Sequence, residues 1–141
     1  MREIKHIIIH ASATKEGRPY KIEDIDVWHK NLGWKKCGYH YVIELDGKIR
    51  KGRSEEEIGA HAFGWNKNSI GICYIGGLGK NGEAKDTRTL QQKSALTALL
   101  YDLKVRYPEA EIIGHRDTGA QKSCPCFEVR EEYKHLNNNK L

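Results

Sequence analysis

The chain has 141 residues, a length typical of one domain with its own core and short for two. Hydrophobic residues (38%) and charged residues (30%) are mixed along the chain, which excludes a disordered protein. Lys and Arg outnumber Asp and Glu by 24 to 19 but form no basic run, which argues against a nucleic-acid-binding arm.

The first predicted strand covers Lys5 to His10, a short run rich in Ile that is followed by Ala, Ser and Thr. The run is too short for the core of a signal peptide, so we expect neither export nor membrane insertion. A chain that first meets the reducing cytosol is expected to keep its cysteines as free thiols or metal ligands. These cysteines are Cys37, Cys73, Cys124 and Cys126.

A helix and a hairpin are predicted next. From Lys21 to Leu32, apolar residues recur at three- and four-residue steps and Gly33 follows as a stop signal, which predicts an amphipathic helix. Tyr39 to Leu45 and Lys48 to Arg53 flank Asp46-Gly47, a dipeptide that suits a tight two-residue turn. The pattern therefore predicts a β-hairpin.

The second half of the chain alternates strands and helices. Ser69 to Ile75 is a β-prone apolar run, and we expect it to be central in the sheet. Thr89 to Gln92 has the spacing of a capping box, and the leucine stripe after it predicts a helix that ends before Pro108. Glu111 to Gly114 is a further predicted strand, and Phe127 to Leu136 a terminal helix. This order predicts an α/β domain with one mixed central sheet flanked by helices.

Two histidines and a cysteine are candidates for a metal site. His10 ends one predicted strand, His115 follows another, and Cys124 lies nine positions after His115. Imidazole and thiolate suit zinc, and three protein ligands leave the fourth tetrahedral position open for water, as a hydrolase requires. By spacing alone, a histidine at a strand end is more often a plain polar cap, and Cys126 offers a second thiolate. Both alternatives stay open at this point.

Four stretches of the sequence, taken together, resemble a known family. They are IIIHASAT, WHKNLGWKKCGYHYVIELDGKIRKGR, GAHAFGWNKNSIGICYIGG, and GHRD followed by KSCPCF. In order and spacing they are similar to the N-acetylmuramoyl-L-alanine amidases, which include phage T7-type lysozyme and the peptidoglycan recognition proteins. The resemblance runs from about His10 to Phe127 and implies one amidase domain, residues 1–141, with the α/β fold of that family.

The resemblance also implies an activity and the residues that carry it. The activity is hydrolysis of the amide between N-acetylmuramic acid and L-alanine in peptidoglycan, as in a cell-wall-degrading endolysin of phage or prophage type. One zinc ion per chain is implied, with His10, His115 and Cys124 as its ligands. Tyr39 and Lys122 match residues that assist hydrolysis in the phage branch of the family.

Other residues match the substrate groove of the family or lie near its metal ligands. His61 matches a groove position and is expected to bind the peptide or the muramyl group. Asn66 is expected to bind substrate or to stabilise its own loop. His6 shares its strand parity with His10, and Asp117 could accept a hydrogen bond from a ligand imidazole.

The expected partner is peptidoglycan, reached by a monomer that stays in the cytoplasm until it is released to the cell wall, with no nucleic acid or membrane involved. Two other classes of function remain as alternatives. A cysteine peptidase would pair one of the four thiols with a histidine and would be insensitive to zinc chelation. A peptidoglycan-binding module without activity would share the fold, although the presence of three candidate ligands and Tyr39 argues against it.

Overall fold

A computed structural model describes residues 2–138 of the chain. In chain order the strands are β1 (His6–Ala11), β2 (Thr14–Lys15), β3 (Tyr41–Ile43), β4 (Ile49–Lys51), β5 (Ser69–Tyr74), β6 (Gly77–Leu78) and β7 (Glu111–Gly114). The helices are α1 (Ile22–Asn31), α2 (Leu90–Arg106), α3 (Val129–Glu132) and α4 (Lys134–Asn138). No helix among residues 2–138 is long and apolar enough to cross a membrane.

Five strands form one mixed sheet in the order β4-β3-β5-β1-β7. β3 and β4 pair antiparallel as the predicted hairpin, and the other neighbours in this sheet pair parallel. β2 and β6 form a separate two-stranded parallel sheet. The prediction of an α/β fold with a mixed central sheet is confirmed, and β5, predicted to be central, is the middle strand of the five.

β1 lies between two parallel neighbours, which explains its run of branched aliphatic residues. Ile7 pairs with Ile70 of β5 on one side and with Ile112 of β7 on the other. Because the sheet is covered on both faces, consecutive residues of β1 are buried instead of alternating with polar ones. The predicted strand is confirmed, with its bounds shifted by one residue.

Helices cover both faces of the sheet. α2 packs its leucine stripe onto the face that carries Ile43, Ile70 and Ile72, and α1 packs Ile22 and Ile25 onto the face that carries Val42 and Cys73. The two faces follow from strand alternation, since successive side chains of a strand point to opposite sides.

α2 begins with the predicted capping box. Thr89 Oγ1 accepts a hydrogen bond from the backbone N–H of Gln92 (3.0 Å), and Gln92 Oε1 accepts one from the N–H of Thr89 (2.9 Å). The Gln92 amide group also donates to the carbonyls of Ile43 and Ile75, which fixes the start of the helix on the sheet. α2 ends at Arg106, before Pro108 as predicted.

Three local predictions needed correction. The hairpin loop is one residue longer than expected, because the bond from the Glu44 N–H to the Lys48 carbonyl closes it around three residues, with Gly47 at φ +89°. The predicted terminal helix is divided into α3 and α4 at Tyr133, whose backbone (φ −110°, ψ 20°) departs from helical values. Leu32, predicted as part of the apolar stripe of α1, is exposed because α1 contacts the sheet through its first half.

Candidate metal centre

Parallel pairing brings the two predicted histidine ligands together. His10 is the fifth residue of β1, and His115 follows β7 directly in a short 3-10 turn. Because β1 and β7 are parallel neighbours, their carboxyl ends meet at one edge of the sheet, and the two imidazole ring centres lie 4.5 Å apart.

Cys124 reaches the same place from a loop. Its Sγ accepts a hydrogen bond from the backbone N–H of Ala11 (3.1 Å), the residue after His10, and its carbonyl accepts one from the N–H of Arg116 (2.9 Å). The Cys126 thiol instead donates to the carbonyl of Gly77 (3.3 Å). The geometry therefore favours Cys124 over Cys126 as the third donor.

One donor atom each from His10, His115 and Cys124 lies within 4.8 Å of the other two. A tetrahedral zinc ion with ligands at about 2.0–2.3 Å keeps its donors about 3.5 Å apart, so an inward shift of about 1 Å would suffice. Two imidazoles and a thiol are a donor set that zinc prefers. The residues present therefore fit this metal.

Burial controls the protonation of the three donors. It lowers the pKa of His10 well below its ordinary value, and it also lowers the pKa of His115, with a smaller contribution from the charge of Lys122. Burial raises the pKa of the Cys124 thiol to about 11. Both imidazoles are therefore neutral and ready to bind a metal at pH 7, whereas the thiol must lose its proton on metal binding.

The donors line a cavity of about 740 Å³. All seven of the predicted site residues line it: His10, Tyr39, His61, Asn66, His115, Lys122 and Cys124. The Tyr39 ring centre is 5.1 Å from that of His10, and burial raises the pKa of its hydroxyl well above the ordinary value. The Lys122 side chain lies in the exposed part of the cavity wall.

His61 and Asn66 have partners within the protein. His61 Nδ1 lies 2.9 Å from His10 Nε2, and its Nε2 lies 3.2 Å from Ser69 Oγ. Asn66 Oδ1 accepts hydrogen bonds from the backbone N–H groups of His61 and Ala62 (both 2.9 Å). Asn66 thus stabilises the loop that carries His61, which was one of its two expected roles, and contact of either residue with substrate stays a prediction.

Two of the other candidates lie outside this cluster. His6 is four residues before His10 on β1, about 13 Å away along the strand, and its ring packs against Trp65 with the two ring centres 4.8 Å apart. Asp117 Oδ2 accepts from the backbone N–H of Gly114 (2.8 Å), so Asp117 stabilises the turn after β7.

His29, which is not among the predicted site residues, also lines the cavity. It lies on α1, its Nδ1 accepts from the backbone N–H of Gly38 (2.8 Å), and its ring centre is 5.5 Å from that of Tyr39. A signal for it was available, because Ile22, Ile25 and His29 follow three- and four-residue steps, which put His29 on the inward face of the helix.

Comparison with known proteins agrees with the geometry. Residues 1–127 match the family described as N-acetylmuramoyl-L-alanine amidase. The chain is 38% identical to the endolysin of Enterobacteria phage K11 over 133 residues, which are 94% of this chain and 87% of the relative. It is 32% identical to peptidoglycan-recognition protein SC2 of Drosophila melanogaster, over 96% of this chain and 75% of the relative. Among solved structures, it resembles N-acetylmuramoyl-L-alanine amidase LysC from Clostridium intestinale with a TM-score of 0.80 and 31% identity, covering 98% of this chain and 88% of that one.

Proposed function

Because the chain belongs to the N-acetylmuramoyl-L-alanine amidase family, we propose that it is a zinc-dependent enzyme of the endolysin type. It hydrolyses the amide between N-acetylmuramic acid and L-alanine of peptidoglycan. The observation that carries this proposal is the convergence of His10, His115 and Cys124 in the lining of one cavity. One chain supplies all three donors, so the site needs no residue from a second copy. The proposed enzyme is one amidase domain, residues 1–141, acting as a monomer with one zinc ion.

When bound, zinc lowers the pKa of a coordinated water from about 15.7 to about 7 and polarises a carbonyl oxygen. The other groups in the cavity contribute to the reaction through position and charge. The ammonium group of Lys122 on the cavity wall stabilises the oxyanion that develops when the amide carbonyl is attacked. The Tyr39 hydroxyl donates a hydrogen bond towards the leaving L-alanine nitrogen, because amide cleavage stalls unless that nitrogen is protonated.

The substrate occupies the groove above the donors. His61 and Asn66 form part of its wall against the muramyl group or the stem peptide. Since both ring nitrogens of His61 and the side-chain oxygen of Asn66 have partners within the protein, their contribution to substrate binding is to shape the wall. Because the chain resembles a phage endolysin, we propose that the enzyme stays in the cytoplasm until it is released to the cell wall.

Burial argues against the cysteine-peptidase alternative for two of the four thiols. Cys37 and Cys73 are completely buried in the core between α1 and the sheet and cannot reach a substrate. Only Cys124 and Cys126 are partly accessible. A cysteine nucleophile would therefore have to be one of these two.

Metal content and hydrolysis, measured together, test the proposal. Elemental analysis of the purified protein is expected to find about one zinc per chain. Release of free L-alanine amino termini from purified peptidoglycan is expected to stop with a chelator and to return with added zinc. Metal-free protein that binds the wall without cutting it would instead indicate a recognition module. Release that resists chelation but stops on thiol alkylation would indicate a cysteine peptidase.

A further inference from the structure

His61 lies directly behind His10, one of the three proposed zinc ligands. His10 Nε2 and His61 Nδ1 are 2.9 Å apart, and the two rings meet edge to face with an interplanar angle of 89°. His10 is only 2% exposed, so the contact is shielded from water. On its far side, His61 Nε2 contacts the hydroxyl of the buried Ser69. The three side chains form a continuous line from the metal centre into the sheet.

We propose that His61 is a positioning residue that selects the metal-binding tautomer of His10. A neutral imidazole carries one N–H, and the hydrogen bond made by one nitrogen decides which nitrogen is free to bind a metal. With His61 Nδ1 accepting the Nε2–H of His10, the lone pair that His10 offers to zinc is that of Nδ1. This inference rests on the proposed zinc function and adds a residue that acts through the ligand, not on the substrate.

The role of His61 requires that its own tautomer be fixed. A neutral His61 accepts at Nδ1 only if its proton is on Nε2, and Ser69 Oγ, 3.2 Å from that nitrogen, is the acceptor for this proton. Metal-bound histidines commonly donate their other N–H to a carboxylate, a carbonyl or water, which fixes the ring and raises its basicity. In this protein the acceptor for the N–H of His10 is the His61 imidazole, which is itself held by the Ser69 hydroxyl.

Two further features hold the His61 ring in position. Asn66 accepts from the backbone N–H of His61, which fixes the start of the loop. Gly71 of β5 leaves the space for the ring, because a Cβ atom at this position would lie 2.6 Å from the ring of His61. The ring therefore rests on the backbone of β5, and its Nδ1 is directed at His10.

The zinc affinity of the purified protein tests this inference without relying on turnover. The zinc dissociation constant is measured by competition with a chromophoric chelator. His61→Ala is expected to raise this constant about 10–100-fold, the usual cost of losing such a partner. His61→Asn is expected to recover most of the affinity, because its amide oxygen can accept at the position of Nδ1. Ser69→Ala is expected to cause a smaller loss, and His135→Ala, an exposed histidine on α4, to cause none.

A second measurement reads the tautomer directly in the unmodified protein. In ¹⁵N NMR spectra of the zinc-loaded protein, His10 is expected to carry its proton on Nε2 and the metal on Nδ1. The opposite assignment would overturn the inference, even if His61→Ala failed to fold. Folded His61→Ala with wild-type zinc affinity, or His61→Asn as weak as His61→Ala, would overturn it as well. A wild-type protein that bound no zinc would refute the proposed function itself, which separates the two failures.

Discussion

The buried hydroxyl of Tyr74 binds the loop that carries Cys124, and the loss of unfolding free energy on its removal can be calculated. Tyr74, at the end of β5, is 1% exposed, and its hydroxyl donates to the carbonyl of Pro125 at 2.7 Å. Tyr74→Phe keeps the ring and its apolar contacts but leaves that buried carbonyl without this donor. Because an unsatisfied buried polar group costs about 1–3 kcal/mol, the free energy of unfolding should fall by that amount.

Urea unfolding of the metal-free protein measures this loss without interference from zinc binding. Tyr101→Phe is the matched control, because it removes the same hydroxyl from a side chain that is 48% exposed on α2. The control should change the free energy of unfolding by less than about 0.5 kcal/mol. If Tyr74→Phe were as stable as this control, the bond to Pro125 would not stabilise the loop and the reasoning would be refuted.

Three further substitutions test the site and its support. Cys124→Ser should abolish zinc retention and hydrolysis while Cys126→Ser keeps both, as measured by elemental analysis and release of L-alanine amino termini. Tyr39→Phe should retain zinc and lower kcat about 10²–10⁴-fold; an unchanged kcat would exclude this hydroxyl from the chemistry. Arg88→Met should lower the free energy of unfolding by about 1–3 kcal/mol, because the guanidinium, whose side chain is 1% exposed, bonds both oxygens of Glu132. Arg88 lowers the pKa of Glu132, so in pH-dependent unfolding this difference should shrink as the pH falls below 4.5.

The elements that were predicted well have strong local signals. The Ile run of β1 indicates a strand buried on both faces, and the Thr89–Gln92 capping box marks the start of α2 before any tertiary contact is known. Two of the three corrections came where tertiary context decides the local structure. Neighbours distant in sequence decide how much of α1 contacts the sheet. They also decide the interruption at Tyr133, which lets both α3 and α4 pack on the core.

The residues of the candidate site were also predictable to different degrees, because their contacts join parts of the chain that are distant in sequence. His10 and His115 could be recognised as strand-end histidines, but their meeting required that β1 and β7 be neighbours, which spacing alone did not establish. The pairing of His10 with His61 joins residues 51 positions apart, on a strand and in a loop, and no periodic pattern indicates it. Asn66 was equally ambiguous, because one side-chain oxygen serves a loop as readily as a substrate.

Cleavage and recognition are separable in this architecture. The relatives include an endolysin and a protein named for recognition of peptidoglycan, so the fold alone does not decide between the two activities. In this chain the three candidate metal donors line the cavity together with His29, Trp34 and Phe63, which do not belong to the donor cluster. Loss of one donor would therefore remove the metal and leave most of the groove intact. Under the proposed zinc function, His10, His115 and Cys124 are the residues that distinguish a hydrolase from a recognition protein on this fold.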